Sequence, residues 1–194
     1  IEPNAGQITI NGSDIDGERK KLAYVPQRDD VDWSFPATVM DIVMQGRFPH
    51  KKLFSRMNAK DKAIAEEALK DLGIRNLAKR QIGQLSGGQQ QRVFIARALC
   101  QEAEIFLLDE PFVGVDITTE EKIIQILKQL AEEGKTLLVV HHDLSTVSDY
   151  FDKVILLNQR LIAAGDTETT FNQTNITATY SAQLPILQKT GLIE

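Results

Sequence analysis

Leu85-Ser86-Gly87-Gly88-Gln89, running on into Gln90-Gln91-Arg92-Val93-Phe94-Ile95-Ala96-Arg97-Ala98-Leu99, decides how this 194-residue chain is read. Val93, Ile95, Ala96 and Leu99 alternate with Gln89, Gln91, Arg92 and Arg97. That spacing predicts an amphipathic helix. The two glycines carry no Cβ, so another surface can come close to the backbone. The first-turn N–H groups of such a helix have no intrahelical partner, and the helix dipole adds partial positive charge there. The end therefore suits a phosphate, with Ser86 as a side-chain donor. From Ser-Gly-Gly alone, an N-cap serine on an ordinary helix is the favoured reading.

Twenty residues past Gln89 stands a second polar cluster. Ile105-Phe106-Leu107-Leu108 is a continuous apolar run, which predicts a buried parallel strand. It ends in Asp109-Glu110-Pro111. Ligands bind outside the carboxyl ends of strands in open α/β sheets, so this is where two carboxylates would meet one. Side chains alternate along a strand, and the two need not share an environment. Lys21–Val25 predicts another strand, ending at Pro26-Gln27, and Thr136–Val140 a further buried one, ending at His141-His142-Asp143-Leu144. Consecutive histidines on a strand point to opposite faces, which argues against one shared metal.

The remaining expectations are a short strand over Gln7–Ile10, a turn at Asn11-Gly12, and helices over Thr38–Gln45, Asn58–Leu72 and Ile117–Glu133. Gly73 and Gly134 are expected to stop the last two. A hairpin is expected over Lys153–Asn158 and Leu161–Gly165, with helical pieces over Thr167–Phe171 and Thr174–Leu187. Trp33 and Phe35 fall in a loop, either as a local apolar plug or as the lip of a groove that grips a partner helix.

The full Leu85–Gln89 string with its Gln91-Arg92 tail resembles the signature motif of the ABC (ATP-binding cassette) ATPases, and the resemblance extends over most of the chain. Tyr24-Val25-Pro26-Gln27 is similar to the family's Q-loop, and Asp109-Glu110 to its Walker B motif with the catalytic glutamate. Gly114-Val115-Asp116 resembles the D-loop, where the family more often has Gly-Leu-Asp; Asp116 equally suits an N-cap. His142, directly before Asp143-Leu144, aligns with the switch histidine, while His141 stands where threonine or serine is more usual. Val31–Val39 and Met44-Gln45-Gly46-Arg47 resemble the metal-ion importer branch, which handles manganese, zinc and iron.

The resemblance implies an α/β fold of P-loop NTPase type, with a mainly parallel sheet core and a helical signature subdomain. One partial domain is expected, with the ATPase core over 1–28 and 103–170, the helical subdomain over 36–100 and a helical tail over 171–194. It implies a head-to-tail homodimer in which ATP held by one copy meets Leu85, Ser86, Gly87, Gly88 and Gln89 of the other, with Asp116 at the contact. Glu110 would polarise the attacking water as general base. Asp109 and Gln27 would manage Mg²⁺, the glutamine also offering its amide to the water. His142 would donate a hydrogen bond to the γ-phosphate.

Composition narrows the alternatives. Hydrophobic residues make up 42% and charged residues 25%, as in soluble globular domains. A net charge of −5 with no long basic run argues against nucleic acid as a partner. A single cysteine, Cys100, forms no intramolecular disulfide and fits a reducing compartment. No apolar run is long enough to span a bilayer, so work at a membrane would go through a partner. The expected partners are an integral-membrane permease meeting Asp29–Arg47 and, indirectly, a substrate-binding protein, with the chain peripheral at the cytoplasmic face of a bacterial plasma membrane.

The phosphate-loop string G-x-x-x-x-G-K-[ST] does not occur among the 194 residues. The sequence therefore reads as a cassette domain without its first strands, phosphate loop and following helix, and ATPase-deficient alone. Two other readings stay open: a soluble ABC ATPase outside transport, and a non-catalytic module lending only its signature face. Only 57 residues separate Gln27 from Leu85, which leaves no room for the long coiled coils of chromosome-maintenance relatives.

Overall fold

The computed structural model describes residues 5–52 and 55–180. The Pro3 end of the expected first strand region and the 181–187 part of the expected last helix lie outside the described residues. The chain divides into two compact units, Ile1–Val140 and His141–Glu194.

In the first unit, β1 (Thr9–Ile10) and β2 (Ser13–Asp14) pair antiparallel around Asn11-Gly12, so the Gln7–Ile10 strand is confined to its last two residues. A one-turn helix, α1 (Ile15–Glu18), follows, capped by Asp14. The sheet that matters for function is parallel, in the order β3 (Leu22–Val25), β4 (Ile105–Asp109), β5 (Thr136–Val140). Ala23, Phe106 and Leu137 stand in one row, and Tyr24, Leu107 and Leu138 in the next.

This register sorts the side chains by face. Ala23, Val25, Phe106 and Leu108 are buried, whereas Tyr24 is 49%, Leu138 51% and Val140 54% exposed. The apolar runs at 105–108 and 136–140 predicted strands buried on both faces; among the described residues each alternates instead. The reason is that the covering helices pack on one face, and β5 is the last strand of this sheet among the described residues.

The covering layer is helical. α2 (Val39–Met44) and α3 (Ala59–Asp71) both pack on α4 (Gly87–Cys100), and α4 packs on β3. Reciprocal capping boxes start α2 at Thr38 with Asp41 and α3 at Asn58 with Asp61, as the Ser/Thr/Asn-x-x-acid pattern favours. Gly73 ends α3 in the left-handed region, at φ +65°. The signature helix is not amphipathic as its pattern predicts: Gln90 and Gln91 are as buried as Val93 and Ile95. Helices on two sides and a strand on a third leave little of α4 facing water.

A buried ion cluster ties these helices together. Arg47 donates to the Cys100 carbonyl at 2.8 Å and to Glu102 Oε2 at 2.6 Å, and pairs with Asp61 Oδ1 at 3.4 Å. Lys51 closes on the other oxygen of Asp61. Gly46 lies against α4 so closely that a Cβ there would stand 2.3 Å from the Arg97 carbonyl oxygen. Burial pushes the Cys100 thiol up to about 11, which leaves it an inert packing residue. α5 (Ile117–Glu132) buries Ile123, Ile124 and Leu127 and leads into β5.

The second unit opens with His141 and contains α6 (Val147–Tyr150), a hairpin of β6 (Lys153–Asn158) and β7 (Arg160–Asp166), then α7 (Thr167–Thr170) and α8 (Gln173–Tyr180). Gln159 makes the hairpin turn at φ +57°. Leu144 and Ile176 form its core with Phe171 and Tyr180 packed on them. Among the described residues no helix is long and apolar enough to cross a membrane.

Candidate functional site

The C-terminal ends of β3 and β4 bring together residues 83 positions apart. Gln27 Nε2 donates to Glu110 Oε2 at 3.1 Å. Asp109 is the last residue of β4, on the same face of the sheet as Tyr24 and Leu107, and half-buried. Glu110 departs from the strand at once: its φ is +46°, its N–H donates to the Val140 carbonyl at 3.1 Å, and its own carbonyl accepts from the Val113 N–H at 3.3 Å. That turn gives the two carboxylates different directions from adjacent positions. Tyr24 has its phenol pKa raised, first by burial and then by the negative charges of Asp109 and Asp30.

The signature residues surround the start of α4. Ser86 is the exposed N-cap, and its N–H donates to Gln89 Oε1 at 3.0 Å. Gln89 is thus engaged in capping its own helix. The Leu85 side chain is buried at 7% exposure and offers a ligand nothing beyond its backbone. The glycines are tightly enclosed. A Cβ at Gly87 would stand 3.0 Å from Arg28 Nε, and one at Gly88 2.9 Å from the Gly114 carbonyl oxygen and 3.5 Å from Val115 Cα. Gly87 and Gly88 thereby touch the loops after β3 and β4 of their own chain.

Asp116 N-caps α5, accepting from the Thr119 N–H at 3.0 Å and from the Thr119 hydroxyl at 2.7 Å. These bonds, the hydroxyl's first, hold its carboxyl below the usual range. Trp33 is the inward plug rather than the lip: its Nε1 donates to the Arg28 carbonyl at 2.9 Å, and its ring meets Phe94 edge-on at 5.3 Å. Phe35 stays 60% exposed.

His141 and His142 belong to the second unit. Both lie beyond β5 in irregular backbone, so the opposite-face argument made for strand neighbours does not apply to them. His141 shares a hydrogen bond of 2.7 Å with the Thr146 hydroxyl and packs edge-on against Phe151 at 5.4 Å. His142 is exposed, with its ring 6.1 Å from that of His141. The Ser145 hydroxyl and N–H, then the two imidazoles, hold the Asp143 carboxyl below its ordinary value. Among the described residues no group of three His, Cys, Asp or Glu side chains is placed to hold a metal ion.

Two participants escaped the sequence reading. Arg28 donates from Nε to Gln90 Oε1 at 3.2 Å, and Gln90 is 4% exposed. The available signal was a glutamine recurring on a helix whose neighbours are core residues. As for Mg²⁺, the carboxylate oxygens of Asp109 at the end of β4 and the side-chain carbonyl of Gln27 are hard donors of the type that ion takes, usually completed by water and phosphate oxygens. A 14-residue helix with glycines at its start suits an anion.

The family model described as ABC transporter matches residues 1–113. The chain is 50% identical over 190 residues to the manganese transport system ATP-binding protein MntB of Bacillus subtilis, covering 98% of this chain and 76% of that one. It is 47% identical over 180 residues to the zinc transport system ATP-binding protein TroB of Treponema pallidum, covering 93% and 68%. Among solved structures it is similar to a dimeric ATP-binding cassette in a post-hydrolysis state bound to ADP and Pi, with 30% identity, 86% and 75% coverage and a TM-score of 0.69.

Proposed function

The chain belongs to the ABC transporter family of ATP-binding proteins, with their α/β ATPase fold, and on that premise we propose that it is the ATP-hydrolysing subunit of an importer for manganese or a related metal ion. The Gln27–Glu110 hydrogen bond at the carboxyl ends of β3 and β4 carries the catalytic part of this reading. Glu110 takes the proton of the attacking water as general base, and Gln27 orients that water with its amide. A carboxylate at that point matches the need of phosphoryl transfer, which is mostly positioning and charge stabilisation. Asp109 and Gln27 would hold Mg²⁺, which when bound neutralises charge on the phosphate oxygens. Leu85 to Gln89 and Asp116 address the nucleotide of a second copy, paired head to tail, and His142 donates to the γ-phosphate.

The domain assignment follows the same reading: 1–28 with 103–170 as ATPase core, 36–100 as the helical subdomain and 171–194 as a tail. A permease docks near Asp29–Arg47, and Phe35 there is an exposed aromatic of the kind that anchors interfaces. A substrate-binding protein acts through that permease, and the subunit sits peripherally at the cytoplasmic face of a bacterial membrane. Metal selectivity rests on likeness to the MntB and TroB proteins.

The test is Glu110→Gln in the full-length polypeptide. ATP turnover is expected to fall to background while ATP-bound dimers accumulate on gel filtration. Retained hydrolysis would remove Glu110 from the role of base.

A further inference from the structure

Gln27 and Arg28 are adjacent, and they reach in different directions. Gln27 holds the Glu110 carboxylate. Arg28 reaches Gln90 on the first turns of α4 and lies across Gly87. Gln90 is buried with both ends of its amide engaged, since its Nε2 donates to the Ile82 carbonyl at 3.2 Å. Two more contacts fix the same segment to the same helix. Trp33, bonded to the Arg28 carbonyl, packs on Phe94. Arg97 stands 4.6 Å over the Phe94 ring and donates to the Tyr24 carbonyl at 2.7 Å. On the far side, Gly88 abuts the Gly114 carbonyl in the loop that follows Glu110.

We infer that Arg28 is a positioning residue that sets the Ser86–Gly88 end of α4 relative to the Gln27–Glu110 pair of its own subunit. This rests on the ATPase reading above. The Arg28 side chain is 41% exposed, so bulk packing alone gives it little to do. Its guanidinium is a rigid fork, and its one neutral acceptor on α4 is buried; losing the donor leaves that acceptor unsatisfied and lets the helix end shift. In a head-to-tail pair, Glu110 serves one nucleotide while Ser86 to Gly88 serve the other.

The experiment compares Arg28→Ala, Arg28→Lys, Gln90→Met and the Arg28→Ala/Gln90→Met double variant in the full-length polypeptide. Steady-state ATPase rates, equilibrium ATP binding by the isolated subunit, and Tm are recorded for each. A shared pair predicts that Arg28→Ala and Gln90→Met each lower kcat about tenfold, and that the double variant loses no more than either. ATP affinity of the isolated subunit is expected to stay at the wild-type value, Tm to fall with the lost hydrogen bond, and Arg28→Lys to recover part of the rate. A merely structural role would lower Tm and leave kcat of the folded fraction intact. An unchanged kcat in Arg28→Ala, or losses that multiply in the double variant, overturns the inference while leaving the ATPase reading standing. If the unaltered polypeptide hydrolyses no ATP, both fall together.

Discussion

The Asp61 carboxylate is 4% exposed and faces Lys51, Arg47 and the N–H of Asn58. The Lys51 ammonium first, then that N–H, hold its pKa at about 2 against burial, which opposes them. The ordinary value is 3.8, so the folded state binds this proton less readily than the unfolded one. Its contribution is therefore complete above about pH 4 and lost as pH falls towards 2. Acid unfolding followed by circular dichroism should show that slope, and Asp61→Asn should flatten it. Arg47→Ala takes away one of the two cations on Asp61 and leaves Lys51 and the Asn58 N–H in place, so it should lower the midpoint of chemical denaturation less than Lys51→Ala does. None of this was legible in the sequence: Met44–Arg47 stood out only by resemblance, because an ion pair across 14 residues has no periodic signature. Asp109, Glu110 and Ser86 were legible, since each ends or starts a regular element whose pattern announces the boundary. Arg28 was not, because its partner lies 62 residues away on a helix read as amphipathic.

At the level of elements, the crossing of α2 and its following turn over α4 depends on Gly46. A methyl there meets the Arg97 carbonyl and, at 3.1 Å, the Cys100 Cβ, and both belong to a helix that cannot yield locally. Gly46→Ala should cost about 1–3 kcal/mol by the overpacking rule, read as a lowered urea midpoint at constant m-value. Apart from β2, which the sequence reading did not expect, the strands were found in sequence to within a residue or two, as Leu22–Val25 and Thr136–Val140 illustrate. Their exposure was not. Runs of Leu and Val say that a strand prefers burial on both faces, but only the helices packed around it decide which faces are covered. The same holds for α4, where Gln90 and Gln91 look polar in a helical wheel and sit in the interior.

For the whole molecule, the 194 residues hold the carboxylates and the signature segment of the proposed nucleotide site, and the string G-x-x-x-x-G-K-[ST] does not occur among them. Calorimetry on these 194 residues alone should register no micromolar ATP binding. Such binding would show that the cradle is supplied by other groups and would overturn the proposed deficiency. One backbone angle also shapes how this protein would fare under selection. Glu110 sits at φ +46°, where a side chain costs about 1–2 kcal/mol and glycine next to nothing. A screen for thermal endurance alone would therefore drift towards Glu110→Gly, retaining the fold and discarding the proposed base. Only selection on turnover keeps the carboxylate in place, so variants sorted for robustness should be sequenced at position 110 before their inactivity is blamed on misfolding.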